Sequence, residues 1–406
     1  MSKLSTEPYK GVRDFYPEDE AVQKFIFKVW RDTVESFGYV QYDASPLEPA
    51  ELYKEKSGEE IVNEQTYTFK DRGDREVTLR PEMTPTVARM VAGKRRELNF
   101  PLRWYSIPNV FRYERPQKGR LREHLQLNCD FFGVDSVEAD VETISMAYKI
   151  MKNFGARDSD FVIRINSRKL LNQTLENAGI VGDASKKLQK LIDKKNKIAD
   201  FDKKAEEIIG RIYDLKFEAD EEIKNLLAKL SALGVNNAIF DPDLVRGFDY
   251  YTGIVFEIFD TNPENNRSVF GGGRYDDLLS LFGSDKVTAI GFGMGDVTIR
   301  DFLESRNLIP TYVSPTKLYV ANAGVNPELV SRIANDIRNQ GINVAVDYTG
   351  KKIGDQIKKA VKDSIEFVAI VGELELASKE IKIKHLPSES EELVALEKVA
   401  EYIKNF

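Results

Sequence analysis

The segment Phe111–Gln126, FRYERPQKGRLREHLQ, gathers Arg112, Arg115, Lys118, Arg120 and Arg122, with only Glu114 and Glu123 to offset them. Guanidinium forks bond phosphate oxygens bidentately and never lose their charge, so the cluster suits a loop that grips a polyphosphate. A solvated surface loop accounts for such a charge run equally well when it is taken alone. A second candidate is LVRGFDYYTG, where Arg246 sits near the end of an apolar strand beside Asp249, Tyr250 and Tyr251. An arginine there either snorkels to the surface or is held in a polar cleft, and spacing does not choose between them. A third is TLRPEMTPTVAR, where Glu82 and Thr84 follow Pro81 at a strand-to-helix turn. Thr84 as a helix N-cap with Pro85 at the first helical position competes there with a ligand role. The glycines of GGGR and GFGMG have the spacing of neither a dinucleotide fingerprint nor a Walker loop, and mark places where backbone approaches a ligand or another strand.

Other chemistries are poorly supplied. Cys129 is the single cysteine, which excludes an internal disulfide, and His124 and His385 are the only histidines. A zinc site or Cys/His or Ser/His catalysis is therefore not expected. The formal net charge of −7 over 406 residues argues against nonspecific coating of nucleic acid, yet leaves room for a local basic surface. The start, MSKLSTEPYKGVRDFYPEDE, has no apolar core of a signal peptide, and no uncharged apolar run of about 18 residues occurs, so a cytoplasmic protein with no membrane partner is expected.

The elements that must position these residues are legible in outline. Val22, Phe25, Ile26, Val29, Trp30, Val34 and Phe37 recur at helical spacing before Gly38, predicting an amphipathic helix over 18–37. GYVQYDASPLE reads as a strand broken at Pro46, and TYTFKDRGDREVTLR as two strands around an Arg-Gly-Asp turn. Strands PLRWYSIPNVFRYE and LQLNCDFFGV flank the basic segment, so RPQKGR, with Pro116 and Gly119, falls on a long hairpin loop. Residues 167–235 turn rich in Lys, Glu, Asp, Leu and Ala, with helical runs at LLNQTLENAG and EEIKNLLAKLSALG, and read as a helical insertion. Aromatic strands return at LVRGFDYYTGIVFEIFD, so an α+β domain is divided by the insertion into residues 1–166 and 236–312. In 316–406, strand and helix alternate through KLYVANAG, GINVAVDY and IEFVAIVGE, predicting a small α/β domain with a mostly parallel sheet.

GVRDFYPED, LRPEMT, FRYERPQKGRLREHLQLNCDFFG, LVRGFDYYTGIVFE, GGGRYDDL and the final α/β segment together resemble the histidyl-tRNA synthetases, a class II aminoacyl-tRNA synthetase family, over nearly the whole length. The resemblance implies an antiparallel-sheet catalytic domain with a helical insertion, a C-terminal anticodon-binding domain, and a homodimer whose interface includes GYVQYDASPLE. The implied reaction joins histidine to ATP, giving histidyl-adenylate and pyrophosphate, and then passes histidine to the 3′ end of tRNA(His). Negative charge builds on phosphorus in the first step, so positioned cations are the natural catalysts. By the resemblance Arg112 holds the α-phosphate, Glu114 contacts the adenine side, and Arg120 lies in the loop covering ATP. Arg246 matches the family's second catalytic cation, which also touches histidine, and magnesium is expected with ATP, on its pyrophosphate side. Glu82, Thr84 and Gln126 match the pocket for the α-ammonium; Asp130, Tyr251 and Tyr275 match positions around the imidazole, and Tyr250 joins the expected histidine contacts.

Two departures stand out. Asp130 replaces the glutamate usual in bacterial members. In GMGDVTIRDFL, Thr298 stands where the family places an adenine-stacking arginine; Arg300 lies two residues on, and Arg274 or Arg115 is a candidate to compensate, so Arg274 joins the expected ATP contacts. A non-catalytic paralogue, the regulatory subunit of ATP phosphoribosyltransferase, shares the fold, but usually lacks the C-terminal domain and degrades the RGxDYYTG motif, both of which are present here.

Overall fold

The computed structural model describes residues 4–54, 65–117, 119–193, 195, 198–245, 250–265 and 267–406. The predicted first helix is α1 (Pro17–Ser36), opened by Pro17 with Glu18, Asp19 and Glu20 at its positive end, and burying Ile26, Trp30 and Val34. It stops as expected, where Gly38 donates its N–H to Glu35 O at 2.9 Å. The chain continues through β1 (Val40–Gln41), β2 (Leu47–Pro49), α2 (Glu51–Lys54), β3 (Tyr67–Lys70), β4 (Glu76–Leu79) and α3 (Thr84–Gly93). Thr84 lies inside α3 at its first position and Met83 occupies the cap without a side-chain bond, so the expected cap is displaced by one residue. Next come β5 (Leu102–Ser106), β6 (Asn109–Phe111), β7 (Glu123–Phe132), α4 (Val137–Asn153) and β8 (Phe161–Ser167). Helices α5 (Arg168–Asn177), α6 (Gly182–Ile192), α7 (Phe201–Ile209) and α8 (Glu221–Ala232) then precede β9 (Ala238–Phe240), β10 (Ile254–Asp260), β11 (Ser268–Arg274), β12 (Ala289–Gly295) and α9 (Asp296–Ser305).

Among the described residues, the main sheet runs β1-β5-β7-β12-β11-β10-β8-β9, with β6 added as a hairpin arm on β7. Only β1–β5 and β8–β9 pair in parallel, so the antiparallel character expected of the domain holds. A smaller sheet, β2-β4-β3, carries the predicted Arg-Gly-Asp turn between its last two strands. Period-two alternation sorts the faces: Leu127, Cys129 and Phe131 of β7, with Ile290, Phe292 and Met294 of β12, enter a core built with α1, α4 and α9. The alternate residues of both strands turn to the other face, where Phe132 and Ala289 pack with α3. Trp30 Nε1–H donates to Met294 Sδ at 3.1 Å, tying α1 to β12.

Helices α5–α8 fall within residues 167–235, but packing divides them. Leu171, Leu175, Leu188, Ile192 and Phe201 of α5–α7 form their own cluster, whereas Ile223, Leu226 and Leu230 of α8 are buried in the main core.

Residues Pro310–Phe406 are a second compact unit. It contains β13 (Leu318–Asn322), α10 (Pro327–Asn339), β14 (Val344–Val346), α11 (Ile353–Lys362), β15 (Phe367–Val371), α12 (Glu373–Ser378), β16 (Glu380–His385), β17 (Glu391–Ala395) and α13 (Val399–Asn405). Its sheet order is β14-β13-β15-β16-β17, the first two pairings parallel and the last two antiparallel. The expected mostly parallel sheet is thus corrected to a mixed one, because the hairpin β16–β17 returns along β15. α10 and α13 cover one face and α11 the other.

Candidate active site

Sheet register builds the floor of a cleft. Gln126, Asn128 and Asp130 of β7 stand opposite Gly295, Gly293 and Gly291 of β12. A β-carbon on Gly291 would lie 2.4 Å from Cys129 O and 2.7 Å from Asp130 Oδ1, and one on Gly293 would lie 2.8 Å from Gln126 Nε2. Glycine is therefore required there for close approach of strand and side chains, as GFGMG suggested. Glu82, Thr84, Arg112, Gln126, Asn128, Tyr250, Tyr251 and Tyr275 line the cleft over this floor together with Gly271 of β11.

Tyrosines and carboxylates form one part of the lining. Tyr250 donates its hydroxyl proton to Glu82 Oε2 at 3.0 Å, and its ring packs at 4.9 Å from Tyr251 and 5.9 Å from Tyr275. Tyr53, fully buried, donates to Glu82 O at 3.4 Å and bonds Thr86 Oγ1 at 3.0 Å, bracing the turn that carries Glu82. Tyr275 donates to Asp130 Oδ1, while Asp130 Oδ2 has no hydrogen-bond partner among the described residues. Burial pushes the Asp130 carboxyl up to about 7, partly opposed by the Tyr275 and Tyr42 hydroxyls. The Tyr275 and Tyr250 phenols are raised as well, chiefly by burial and next by the carboxylates beside them.

Arg112, also in the lining, follows β6, its Nε donating to Pro81 O at 2.8 Å and its N–H to Arg122 O at 2.9 Å. β6 and β7 form the predicted hairpin, and residues 112–122 form its loop, with a further bridge between Gln117 and Arg120. Within it Arg120 Nη1 stands 3.6 Å from Glu114 Oε2. His124, on β7 beyond the loop, is pushed down to about 3 by desolvation and by the cations Arg112 and Arg13, and so is held neutral.

The structure brings together Glu82, Thr84, Arg112, Gln126, Tyr250, Tyr251 and Tyr275, with Asp130 directly behind Tyr275. Arg246 and Asp249 lie outside the described residues. Arg274 is a correction. Its guanidinium is buried against α4, with Nη2 at 2.5 Å from Asp140 Oδ2 and further bonds to Val134 O at 3.1 Å and Ser136 O at 3.2 Å. Four of its five N–H donors are bonded inside the fold, and it is not among the residues that line the cleft. Arg300 points away too, to Asp19 and Glu304, both at 2.8 Å. Thr298 donates to Val269 O at 2.7 Å, and a methyl on the loop-tip Gly119 would meet Arg267 Nη1 at 3.3 Å and Thr298 Cγ2 at 3.9 Å. Sequence reasoning missed Asn128, although it lies two residues from both Gln126 and Asp130 and so must share their face. It also missed Tyr53 and Tyr42, which carry no local signal.

An antiparallel catalytic sheet bearing a basic hairpin, joined to a C-terminal unit whose residues 317–406 match the anticodon-binding domain model, defines an aminoacyl-tRNA synthetase. The histidyl-tRNA synthetase model matches residues 11–211 and 202–297. A histidine–tRNA ligase of Leptospira biflexa is 41% identical over 99% of this chain and 98% of its own. That of Thermoplasma volcanium is 36% identical over 97% of each chain. The crystal structure of the histidyl-tRNA synthetase from Nostoc sp. PCC 7120 superposes with a TM-score of 0.79 at 23% identity, covering 99% of both chains. The chain belongs to the histidyl-tRNA synthetase family, whose members are ATP-dependent histidine–tRNA ligases.

Proposed function

We propose that the cleft carries out both steps of histidine–tRNA ligation with the residues named here. The carrying observation is that one cleft over the sheet is lined by Glu82, Tyr250, Tyr251 and Tyr275 together with Arg112. Glu82, Thr84 and Gln126 take the α-ammonium, Tyr250 orienting Glu82 through its 3.0 Å bond. Asp130 takes the Tyr275 proton, which leaves the Tyr275 hydroxyl oxygen to accept from an imidazole N–H, with Tyr251 closing over the ring. A histidine carboxylate oxygen then attacks the α-phosphorus of ATP, the bond from phosphorus to the bridging oxygen breaks, and pyrophosphate leaves. Arg112 neutralises the charge that grows on the phosphoryl oxygens, and Arg246 is its counterpart from the RGFDYYTG segment. Glu114 faces the adenine and Arg120 covers the nucleotide from the loop; magnesium enters bound to ATP. In the second step a hydroxyl of the terminal tRNA ribose attacks the acyl carbon and AMP departs.

Residues 316–406 bind the anticodon region of tRNA(His), and helices α5–α7 grip its acceptor end. A homodimer forms through β1–β3, where the exposed side chains of Val40, Leu47 and Phe69 supply an apolar surface of the kind a two-fold interface buries. The protein works in the cytoplasm; among the described residues no helix is long and apolar enough to cross a membrane. The test is histidine-dependent ATP–pyrophosphate exchange by the purified protein. Exchange with histidine alone among amino acids is expected, whereas histidine binding without exchange would point to a regulatory, non-catalytic role.

A further inference from the structure

The segment around GVRDFYPED, quoted above for its family resemblance, has no role in the chemistry just described, yet it is bonded to the basic loop at several points. Val12 N–H donates to Tyr9 O at 3.1 Å, closing a turn with Gly11 at φ +89°. Gly11 O accepts from Arg122 N–H at 2.7 Å, and Arg122 O in turn accepts from Arg112 N–H at 2.9 Å. The backbone of Arg122 is thus held between the N-terminal turn and the phosphate-facing arginine. Its side chain is held as well: Nη1 donates to the Tyr9 hydroxyl at 2.9 Å, Nε to Glu114 O at 3.1 Å, and the guanidinium lies 4.0 Å above the Tyr113 ring. Beyond the turn, Arg13 Nη2 bonds Asp296 Oδ2 at 2.7 Å, and Asp296 Oδ1 accepts from Leu125 N–H at 3.0 Å. Asp296 is wholly buried at the start of α9. Both arms of the loop are therefore reached, since a methyl on Gly11 would stand 2.8 Å from Arg122 Cγ and 3.0 Å from Pro116 Cγ.

We propose that residues 9–13 are a positioning strap for the nucleotide-covering loop: by fixing Arg122 they fix Arg112 and the carbonyl of Glu114 in register with ATP. The inference rests on the placement of ATP proposed above. The strap touches no substrate; it acts through Arg122.

Gly11→Val combines a disfavoured positive φ with a clash at Arg122, and Tyr9→Phe removes one acceptor from an exposed ring that cannot unfold the domain. In the full-length chain, Gly11→Val is expected to raise KM for ATP about tenfold or more in pyrophosphate exchange, with KM for histidine held within about twofold. Tyr9→Phe is expected to raise KM for ATP about threefold. Limited trypsinolysis of the substrate-free proteins gives a readout independent of activity: cleavage after Arg120 quickens in both variants. The strap is refuted if both Michaelis constants rise together, or if Tyr9→Phe changes neither KM for ATP nor cleavage after Arg120. Were the unaltered protein inactive in exchange, the ligase reading would fail, and the trypsin comparison would still decide whether residues 9–13 hold the loop.

Discussion

Asp130→Asn tests the electrostatics behind Tyr275 through a change of sign with pH. The Asp130 carboxyl is raised to about 7 in the folded protein from an ordinary value of 3.8, and Oδ2 has no hydrogen-bond partner among the described residues. At pH 8 the carboxyl is ionised in both folded and unfolded states. A gap of about three pKa decades means the folded state then bears a penalty of about 4 kcal/mol relative to a neutral group. Asparagine removes that penalty. Its carbonyl can still accept from Tyr275, but its amide takes the place of the unpartnered oxygen at a cost of about 1–3 kcal/mol. The variant is therefore expected to be more stable than the parent by about 1–3 kcal/mol at pH 8. As pH falls from 7 toward 3.8 the folded carboxyl is already protonated while the unfolded one still titrates, and the parent recovers its stability. Below pH 4 the asparagine variant should be the less stable of the two. Urea unfolding followed by tryptophan fluorescence reads the right unit, because both tryptophans, Trp30 and Trp104, lie in residues 1–309. A stability difference that stays constant from pH 4 to pH 8 would refute a raised, ionisable Asp130. The same variant should lose about 100-fold or more in kcat/KM for histidine, since Tyr275 would face an amide in place of a carboxylate.

Arg246→Ala is expected to abolish pyrophosphate exchange while leaving the sedimentation of the protein unchanged; wild-type exchange would remove Arg246 from the proposed catalytic pair. Arg274→Met should act on stability, costing about 3–5 kcal/mol in urea unfolding because Asp140 is left buried without its partner, with KM for ATP unaltered. Gly293→Ala should raise KM for histidine about tenfold, its methyl displacing Gln126 from 2.8 Å, and leave KM for ATP near the parent value.

The parts of the site that local sequence could reveal were those carried by short-range rules. Pro116 and Gly119 mark the hairpin loop because they cannot stay in a ladder, and the apolar stripe through Ile26, Trp30 and Val34 marks α1 because helical spacing repeats every turn. The glycines of GFGMG announced a close approach without saying to what; the answer, β7, lies more than 160 residues earlier in the chain. Arg274 was misread for a related reason. Its partner Asp140 is 134 residues away, so no local pattern distinguishes a cation spent in the core from one offered to a nucleotide. Helix α8 shows the same limit of amphipathicity, which states that Ile223, Leu226 and Leu230 are buried but not that they join α4 in preference to α5–α7. The C-terminal sheet was read as mostly parallel because β16 and β17 carry many Lys and Glu residues that disguise a hairpin.

The glycine strip on β12 also divides the pocket by its freedom to change. Any side chain at Gly291 meets the backbone carbonyl of Cys129, which has no rotamer to yield, so that position cannot be retuned by a single substitution. Altered amino-acid preference, whether by drift or by engineering, must come from the opposite strand and the tyrosines, where Gln126, Asn128 and Asp130 stand at alternate positions and can be exchanged without moving the sheet. A glutamate-to-aspartate difference at position 130 is a change of that permitted kind: it alters reach along β7 and leaves Gly291 as it was.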